Sequence, residues 1–404
     1  MKKFFSSHDN DISVAYIWII GGSNLDNQNQ KGINEILCSL ITRGSKSIDN
    51  FEISNILDFN GAELNYEATQ DGIYIGVKSL KEYFKNIYPL LDMIVNEPNL
   101  SEKEFIKSKK HQINYLIKSK ENLFTKTFDN WSKIVYRDHP YSFDSNGYIN
   151  TINNINYDDI LKEYDNFKLR NKYLLTNHKI NNLMDIKSNN INQIKPIDKT
   201  LNSLSQIHKK RYIHYKLSTN QVIIMLGNKT CPHNSEDYLS LKLLESYLSF
   251  GMSSLLFKVF REENGLTYDV GVINSVRIEK APFLIYLSVS SQHAKLAFKL
   301  LINLWNEIST NYIPLNELNL AKTKLKNAIL NSHQTIEEIV LRKVQLIGYQ
   351  MDPYFDINSL SKLETINPEM LYIVINKYFK KPYLSLLGES KTCNVIKCLW
   401  EEMI

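Results

Sequence analysis

The sequence predicts an α+β chain made of two homologous domains of about 200 residues, each a largely antiparallel sheet packed with helices. Three observations carry that expectation. A strand, two helices, a hairpin and a further helix recur in the same order half a chain apart, and the helix-ending pairs Asn60-Gly61 and Asn264-Gly265 lie 204 positions apart (264 − 60 and 265 − 61). The strands come as hairpins and the helices are segregated along the chain, which favours antiparallel sheets over βαβ crossovers. The chain of 404 residues is 43% hydrophobic and 23% charged, ordinary for globular protein and too long for one small core.

The first copy opens with a strand over Ser13–Ile20, aromatic and β-branched, closed by Gly21-Gly22. Lys31–Arg43 follows as a helix, with Ile33, Ile36, Leu37, Leu40 and Ile41 on one face and Gly44 as its stop. A second helix spans Asp49–Phe59. Ala62–Thr69 and Ile73–Lys78 pair around Gln70-Asp71-Gly72, and Lys81–Val95 is helical. Beyond Pro98, a polar-faced pattern predicts one long helical segment over Glu102–Trp131. In the second copy the strand is Gln221–Leu226 and the helices are Glu236–Phe250 and Leu255–Asn264. The hairpin is Tyr268–Ser275 with Pro282–Ser290, followed by a helix over Ala294–Ile308. The stretch 181–214 is rich in Asn, Lys and Ser, contains Pro196 and reads as a linker. The expected domains are therefore 1–180 and 215–404.

Composition narrows the function classes. A net charge of +5 over this length, with no arginine-rich run or basic helix, gives no nucleic-acid footprint. The apolar run Val14–Ile20 is far too short to span a bilayer, and Met1-Lys2-Lys3 leads into polar residues where a signal peptide would be apolar. No membrane association and a cytoplasmic location are expected. Cys38, Cys231, Cys393 and Cys398 form no Cys-x-x-Cys pair and suit a reducing compartment, with Cys393 and Cys398 expected as core filling in a C-terminal helix. No two of the nine histidines lie at metal-ligand spacing.

One stretch carries chemistry. In Gly251–Val272 a short amphipathic helix buries Leu255, Leu256, Val259 and Phe260, Gly265 stops it, and a strand begins at Tyr268. Arg261 near the helix end and Tyr268 at the strand start then lie close across a tight turn. A surface arginine beside a half-buried tyrosine satisfies the same pattern. Gly251-Met252-Ser253-Ser254, Leu256-Phe257, Arg261-Glu262, Gly265-Leu266 and Tyr268 together resemble the arginine/tyrosine signature of the M16 metallopeptidases, the pitrilysin, insulinase and mitochondrial processing peptidase family. The resemblance extends to His139-Pro140-Tyr141 with Gly147, and to the internal duplication. It covers nearly the whole chain, though the N-terminus is short by one strand.

What the resemblance implies is a chamber half whose Arg261 and Tyr268 bind the substrate backbone and donate to the oxyanion, with Ser253 and Ser254 shaping the turn as substrate-binding residues. Active members carry His-x-x-Glu-His on the first helix and a distal glutamate. Against that motif the helix reads Asn34-Glu35-Ile36-Leu37-Cys38. Asn34 and Cys38 fall at the histidine positions, Leu37 at the general base, and Asn114 or Tyr115 at the distal ligand. A hydrolytic zinc needs three deprotonated ligands, and leucine cannot be a base. Glu35 is one residue out of phase. The chain is therefore expected to hold no metal and to be inactive alone. The implied role is that of the non-zinc subunit of a heterodimeric peptidase, the zinc residing in an M16 partner subunit; a homodimer is the other arrangement. Peptides are the implied substrates. The competing reading is a catalytically inert structural or binding subunit of the same fold, like the core proteins of a respiratory complex.

Overall fold

A computed structural model describes residues 1–8, 10–119, 121–180, 184–185, 211–267 and 269–403. The chain forms two compact units, each assembled from three stretches. The first comprises Met1–Ser119, Phe143–Leu201 and Asn331–Phe355; the second comprises Lys120–Ser142, Asn202–Leu330 and Asp356–Ile404. Compactness thus cuts the chain differently from boundaries at 180 and 215, because each unit takes one helical stretch from the other half of the sequence. Most of 181–214 lies outside the described residues.

The first unit holds a six-stranded sheet in the order β3-β4-β2-β5-β1-β6. Its strands are β1 (Lys2–Phe5), β2 (Ile12–Ile20), β3 (Glu63–Ala68), β4 (Gly72–Leu80), β5 (Lys172–Thr176) and β6 (Met184–Asp185). The near-continuous apolar run of β2, Ile-Ser-Val-Ala-Tyr-Ile-Trp-Ile-Ile, has its cause in two covered faces. Ala15, Ile17 and Ile19 enter a core with the helices Ile33–Ile41, Phe84–Asn96 and Tyr157–Leu169. Val14, Tyr16, Trp18 and Ile20 face the helix Ile336–Gly348, which lays Ile336, Val340, Val344 and Ile347 on them. Thr335 and Glu338 form a capping box at that helix's start. Glu337 accepts from Tyr16 Oη at 2.6 Å and from Asn65 Nδ2 at 2.9 Å, so a polar clamp fixes the helix above the apolar contact.

The second unit holds a five-stranded sheet in the order β7-β11-β8-β10-β9, from β7 (Tyr212–Lys216), β8 (Gln221–Lys229), β9 (Asp269–Asn274), β10 (Pro282–Ser290) and β11 (Tyr383–Gly388). Replacing β3, β4, β2, β5 and β1 by β9, β10, β8, β11 and β7 converts the first order into the second, parallel outer pair included (β1 with β5, β7 with β11). The two halves are therefore copies of one α+β unit. Lys2–Phe5 supplies the strand that the sequence pattern lacked at the N-terminus. The swapped covering helix recurs as well. Leu123–Tyr136 lays Trp131 and Val135 beside Ile223 and Met225 of β8, and Ser385 Oγ donates to Thr127 O at 2.9 Å.

The long segment expected over Glu102–Trp131 is two helices, Glu102–Ser119 and Leu123–Tyr136, belonging to different units. Asn122 starts the second by accepting from the amides of Phe124 and Thr125, a side-chain cap that a periodicity count overlooks. Cys393 is buried as expected, but Cys398 is exposed: five positions along a helix turn it to the outer face.

The duplicated turn is where the copies diverge. Gly61 and Gly265 both adopt positive φ, 54° and 59°, after an asparagine cap, a conformation in which glycine escapes the Cβ penalty. In the first copy Gly61 N bonds Asp58 O, Ala62 N bonds Leu57 O, and Asn60 Nδ2 bonds Ile56 O. In the second, Gly265 N bonds Arg261 O, Leu266 N bonds Phe260 O, and Asn264 Nδ2 bonds Val259 O. Each of these three bonds reaches one residue further back in the second copy. The helix expected over Leu255–Asn264 is accordingly one α-turn, Leu255–Phe257, continued by a π-helical segment, Lys258–Glu263. Such wide turns recur at functional sites.

Candidate functional site

Two local sites correspond to the two halves of the expected chemistry, and each lies within one unit. In the second unit, Gly251 at φ 74° opens a turn in which Ser254 N bonds Gly251 O at 3.1 Å. Ser254 is buried and its carbonyl accepts from Lys258 N, so it shapes the helix start, while Ser253 is exposed. Arg261 is exposed on the π segment, its guanidinium 4.8 Å from the centroid of the Phe257 ring. Tyr268, the expected second donor, lies outside the described residues. The His139-Pro140-Tyr141 turn sits in the same unit. His139 Nε2 is 2.6 Å from Glu279 Oε2, and its Nδ1 accepts from Tyr141 N at 3.1 Å.

In the first unit the helix Ile33–Ile41 starts at Gly32, and the loop carrying Gly147 presses on that start. Gly147 has φ 73°, and a Cβ there would meet Lys31 O at 2.1 Å, so only glycine fits. Thr151 Oγ1 donates to Lys31 O at 2.7 Å and locks the same point.

Two sides of this helix bear different chemistry. On one, Asn34 is fully buried in a polar network. Its Nδ2 donates to Asp26 Oδ1 at 2.6 Å and to Glu163 Oε1 at 3.2 Å, and its Oδ1 accepts from Arg170 at 2.8 Å. Arg170 also donates to Gly21 O at 2.8 Å and pairs with Glu163. Burial pushes the Asp26 carboxyl up to about 6, although Asn34 and the Gly32 amide pull it down; burial likewise lowers the Arg170 guanidinium.

The other side is acidic. Burial, then the neighbouring Glu67 and Asp144, push Glu35 up to about 7 against a backbone hydrogen bond from Ala68. Cys38 is fully buried, and burial followed by Glu35 and Glu67 raises its thiol well above the usual range. Tyr115 is 49% exposed, and burial of its ring followed by Asp144, Glu35 and Glu67 raises its phenol. Ser39 Oγ is buried without a hydrogen-bond partner among the described residues.

The structure therefore gives Cys38 and Tyr115 the same acidic neighbours, Glu35 and Glu67, and gives Asn34 different ones. Asn34 belongs to the Asp26–Arg170 network, and Leu37 and Cys38 both pack in the apolar core. The reason is helical phase. Residues 34, 37 and 38 and residues 35, 38 and 39 both satisfy the spacing of His-x-x-Glu-His, and only tertiary partners decide which triplet faces the distal helix. Glu67 and Asp144 were missed because they come from β3 and from the Gly147 loop, without motif spacing. Among the described residues no three His, Cys, Asp or Glu side chains are grouped so as to hold a metal ion.

Glu35 yields a pH expectation. Its folded pKa of about 7 stands above that of a free carboxyl, so the folded state holds the proton more tightly than the unfolded one. The stability it contributes is present below pH 4.5 and is lost as the pH rises through 7. Glu35→Gln should raise stability at pH 8 by on the order of 2 kcal/mol and leave pH 4 unchanged. Urea midpoints at the two pH values check this; equal shifts at both would rule out the linkage.

Comparison with known proteins agrees with this architecture. The family model described as "Insulinase (Peptidase family M16)" matches residues 3–144, and "Peptidase M16 inactive domain" matches residues 177–325. A Rickettsia bellii protein named "Uncharacterized zinc protease" is 25% identical over 355 residues, covering 84% of this chain and 82% of its own. A Helicobacter pylori "Non-peptidase homolog YmxG" is 22% identical over 262 residues, 62% and 59% of the two chains. The solved structure of a peptidase M16 inactive domain from Pseudomonas fluorescens superposes with a TM-score of 0.80 at 18% identity, covering 96% of this chain and 95% of that one. Among described residues no helix is long and apolar enough to cross a membrane. With both of its halves matched in order by the paired domain models, the chain belongs to the M16 peptidase family.

Proposed function

We propose that this chain is the non-zinc subunit of a heterodimeric M16 metallopeptidase, supplying Arg261 and Tyr268 to a site whose zinc is held by the partner subunit. The observation that carries the reading is an asymmetry. Arg261 is exposed on a π turn, while the helix that would carry the metal has Glu35 near Tyr115 and the buried Cys38 and Ser39 behind it in sequence. Glutamate, a thiol held protonated by burial, a hydroxyl and a phenol make a poor zinc set, because zinc takes deprotonated ligands. The role assigned to this chain is then to bind substrate backbone and stabilise the oxyanion: two donors, a planar guanidinium and a phenol, converge on a carbonyl gaining charge. Peptides are the substrates, and Ser253 and Ser254 shape the turn.

The inert reading rests on the same acidic side and on the relative named a non-peptidase homolog. One experiment separates the two: hydrolysis of an unstructured peptide by the reconstituted heterodimer. Tyr268→Phe should lower kcat by about 10²–10³, the usual loss for one oxyanion donor, and Arg261→Lys should also impair turnover by removing the fork. Wild-type turnover from Tyr268→Phe at unchanged assembly would leave the chain as a scaffold.

A further inference from the structure

We propose that one end of the second unit's sheet is a docking site for an acidic, extended polypeptide segment. Sheet register builds the site. β8 ends at Lys229, which pairs with Pro282, so Lys280 lies just beyond the start of β10 at the same end. β11 runs antiparallel to β8 from Tyr383, opposite Gly227, which places Lys381 beside Lys229. β7 runs parallel to β11, and Leu384 N bonds Arg211 O at 2.9 Å, so Arg211 stands at that end too. Tyr136, closing the helix Leu123–Tyr136, donates its hydroxyl to Lys280 O at 3.0 Å and delivers Arg137 to the group. Five cations from five separate stretches thus meet, and no run of basic residues in the sequence announces them.

The cluster has the marks of a site more than of a solvated rim. Arg211 stacks on the Tyr383 ring at 4.5 Å and donates to Lys381 O, tying two strand starts together. Arg137 and Lys381 hold positive φ, 51° and 37°, a sparsely populated region for non-glycine residues that concentrates at ligand-binding places. Partial burial, then Lys280, Arg137 and Arg211, lower the Lys229 ammonium, so these charges crowd one another. Among the described residues, none of Arg211, Lys229, Lys280 and Lys381 has a carboxylate at ion-pair distance, and the adjacent Glu279 is held by His139. Lys229, Lys280 and Lys381 are exposed and able to meet a ligand.

The shape selects the occupant. Four adjacent strand ends at about 4.8 Å spacing make a row about 14 Å long, the length of about four residues of extended chain. A lone carboxylate or phosphate would engage one or two members and leave the others repelling. A string of Asp and Glu side chains can address the whole row, meeting the exposed ammonium groups of Lys229, Lys280 and Lys381 in turn.

The test is fluorescence polarisation of a labelled peptide carrying four consecutive glutamates, with the full chain at low ionic strength. The unmodified chain should bind it, lose it with added salt, and ignore a tetralysine peptide. Lys229→Glu with Lys280→Glu should weaken binding about tenfold or more, the ordinary effect of placing like charges in a recognition surface. If charge reversal lowers Tm, Lys229→Ala with Lys280→Ala decides, since both side chains are exposed and the register is backbone-made; a loss of about threefold or more is expected. Unchanged binding in the alanine pair overturns the proposal, as does equal binding of tetralysine. Tripolyphosphate binding without tetraglutamate binding would mark a compact phosphate site and overturn it as well. None of these outcomes depends on zinc, Arg261 or Tyr268, so the docking site and the shared-peptidase reading stand or fall separately.

Discussion

Residues 1–180 expressed without Asn331–Phe355 should give no cooperatively folded protein, although they contain every strand of the first copy as the sequence repeat defines it. Val14, Tyr16, Trp18, Ile20, Tyr173 and Leu175 form the sheet face that Ile336–Gly348 covers, each at most 8% exposed. Uncovering side chains of this size costs about 1.5–3 kcal/mol each, so six of them forfeit on the order of 10 kcal/mol, comparable to the whole stability of a domain. The clamp from Glu337 to Tyr16 and Asn65 goes as well, leaving the Tyr16 hydroxyl without its acceptor. Adding a peptide spanning 331–355 should restore a sharp unfolding transition in near-UV circular dichroism. A sharp transition in the fragment alone would mean that the covering helix contributes little.

Arg170→Ala should destabilise the protein by about 3–5 kcal/mol, the usual result of removing one partner from a buried ion pair. Arg170 and Glu163 have side chains only 8% and 14% exposed, and the guanidinium also serves Asn34 and the Gly21 carbonyl. Its removal strands Glu163 and takes from Asp26 one of two nearby positive charges, Lys31 being the other. Arg170→Ala with Glu163→Ala should recover part of the loss, because the orphaned carboxylate is then gone. The deficit should shrink at pH 5, since Asp26 with a folded pKa of about 6 is already mostly protonated there and needs no cation. Chemical denaturation at pH 5 and pH 8 measures both effects; a deficit under about 1 kcal/mol at pH 8 would show that the network is solvated in practice.

The sheets were legible in the sequence because strand periodicity and turn glycines are local. The apolar run of β2, the hairpin around Asp71-Gly72 and the paired Asn-Gly stops all report residue-level chemistry. The exchanged helices were not legible: the periodicity of Leu123–Tyr136 shows an apolar stripe and says nothing about which sheet receives it. The candidate site divided along the same line. Arg261 came from a dense local signature and stands exposed on its turn, whereas the acidic neighbours of Tyr115, Glu35, Glu67 and Asp144, come from separate elements with no motif spacing. A three-plus-one spacing fits two adjacent triplets equally well. Asp26 and Arg170, eight residues before and 136 residues after Asn34, are the tertiary partners that hold its side chain in a polar network.

The π segment has a consequence for how such duplications are read. The second copy gains a wider turn without gaining a residue, so the offset of 204 runs through it undisturbed and pairs Leu57 with Arg261. Yet Leu57 packs partly buried against its core, while Arg261 stands in solvent. Equivalence of position has come apart from equivalence of direction. A change in hydrogen-bond step, silent in any residue-by-residue correspondence, is enough to convert a packing position of one ancestral unit into an outward-facing one in its sibling. Gene duplication here need not have waited for an insertion to make its two products differ in what they offer to a partner.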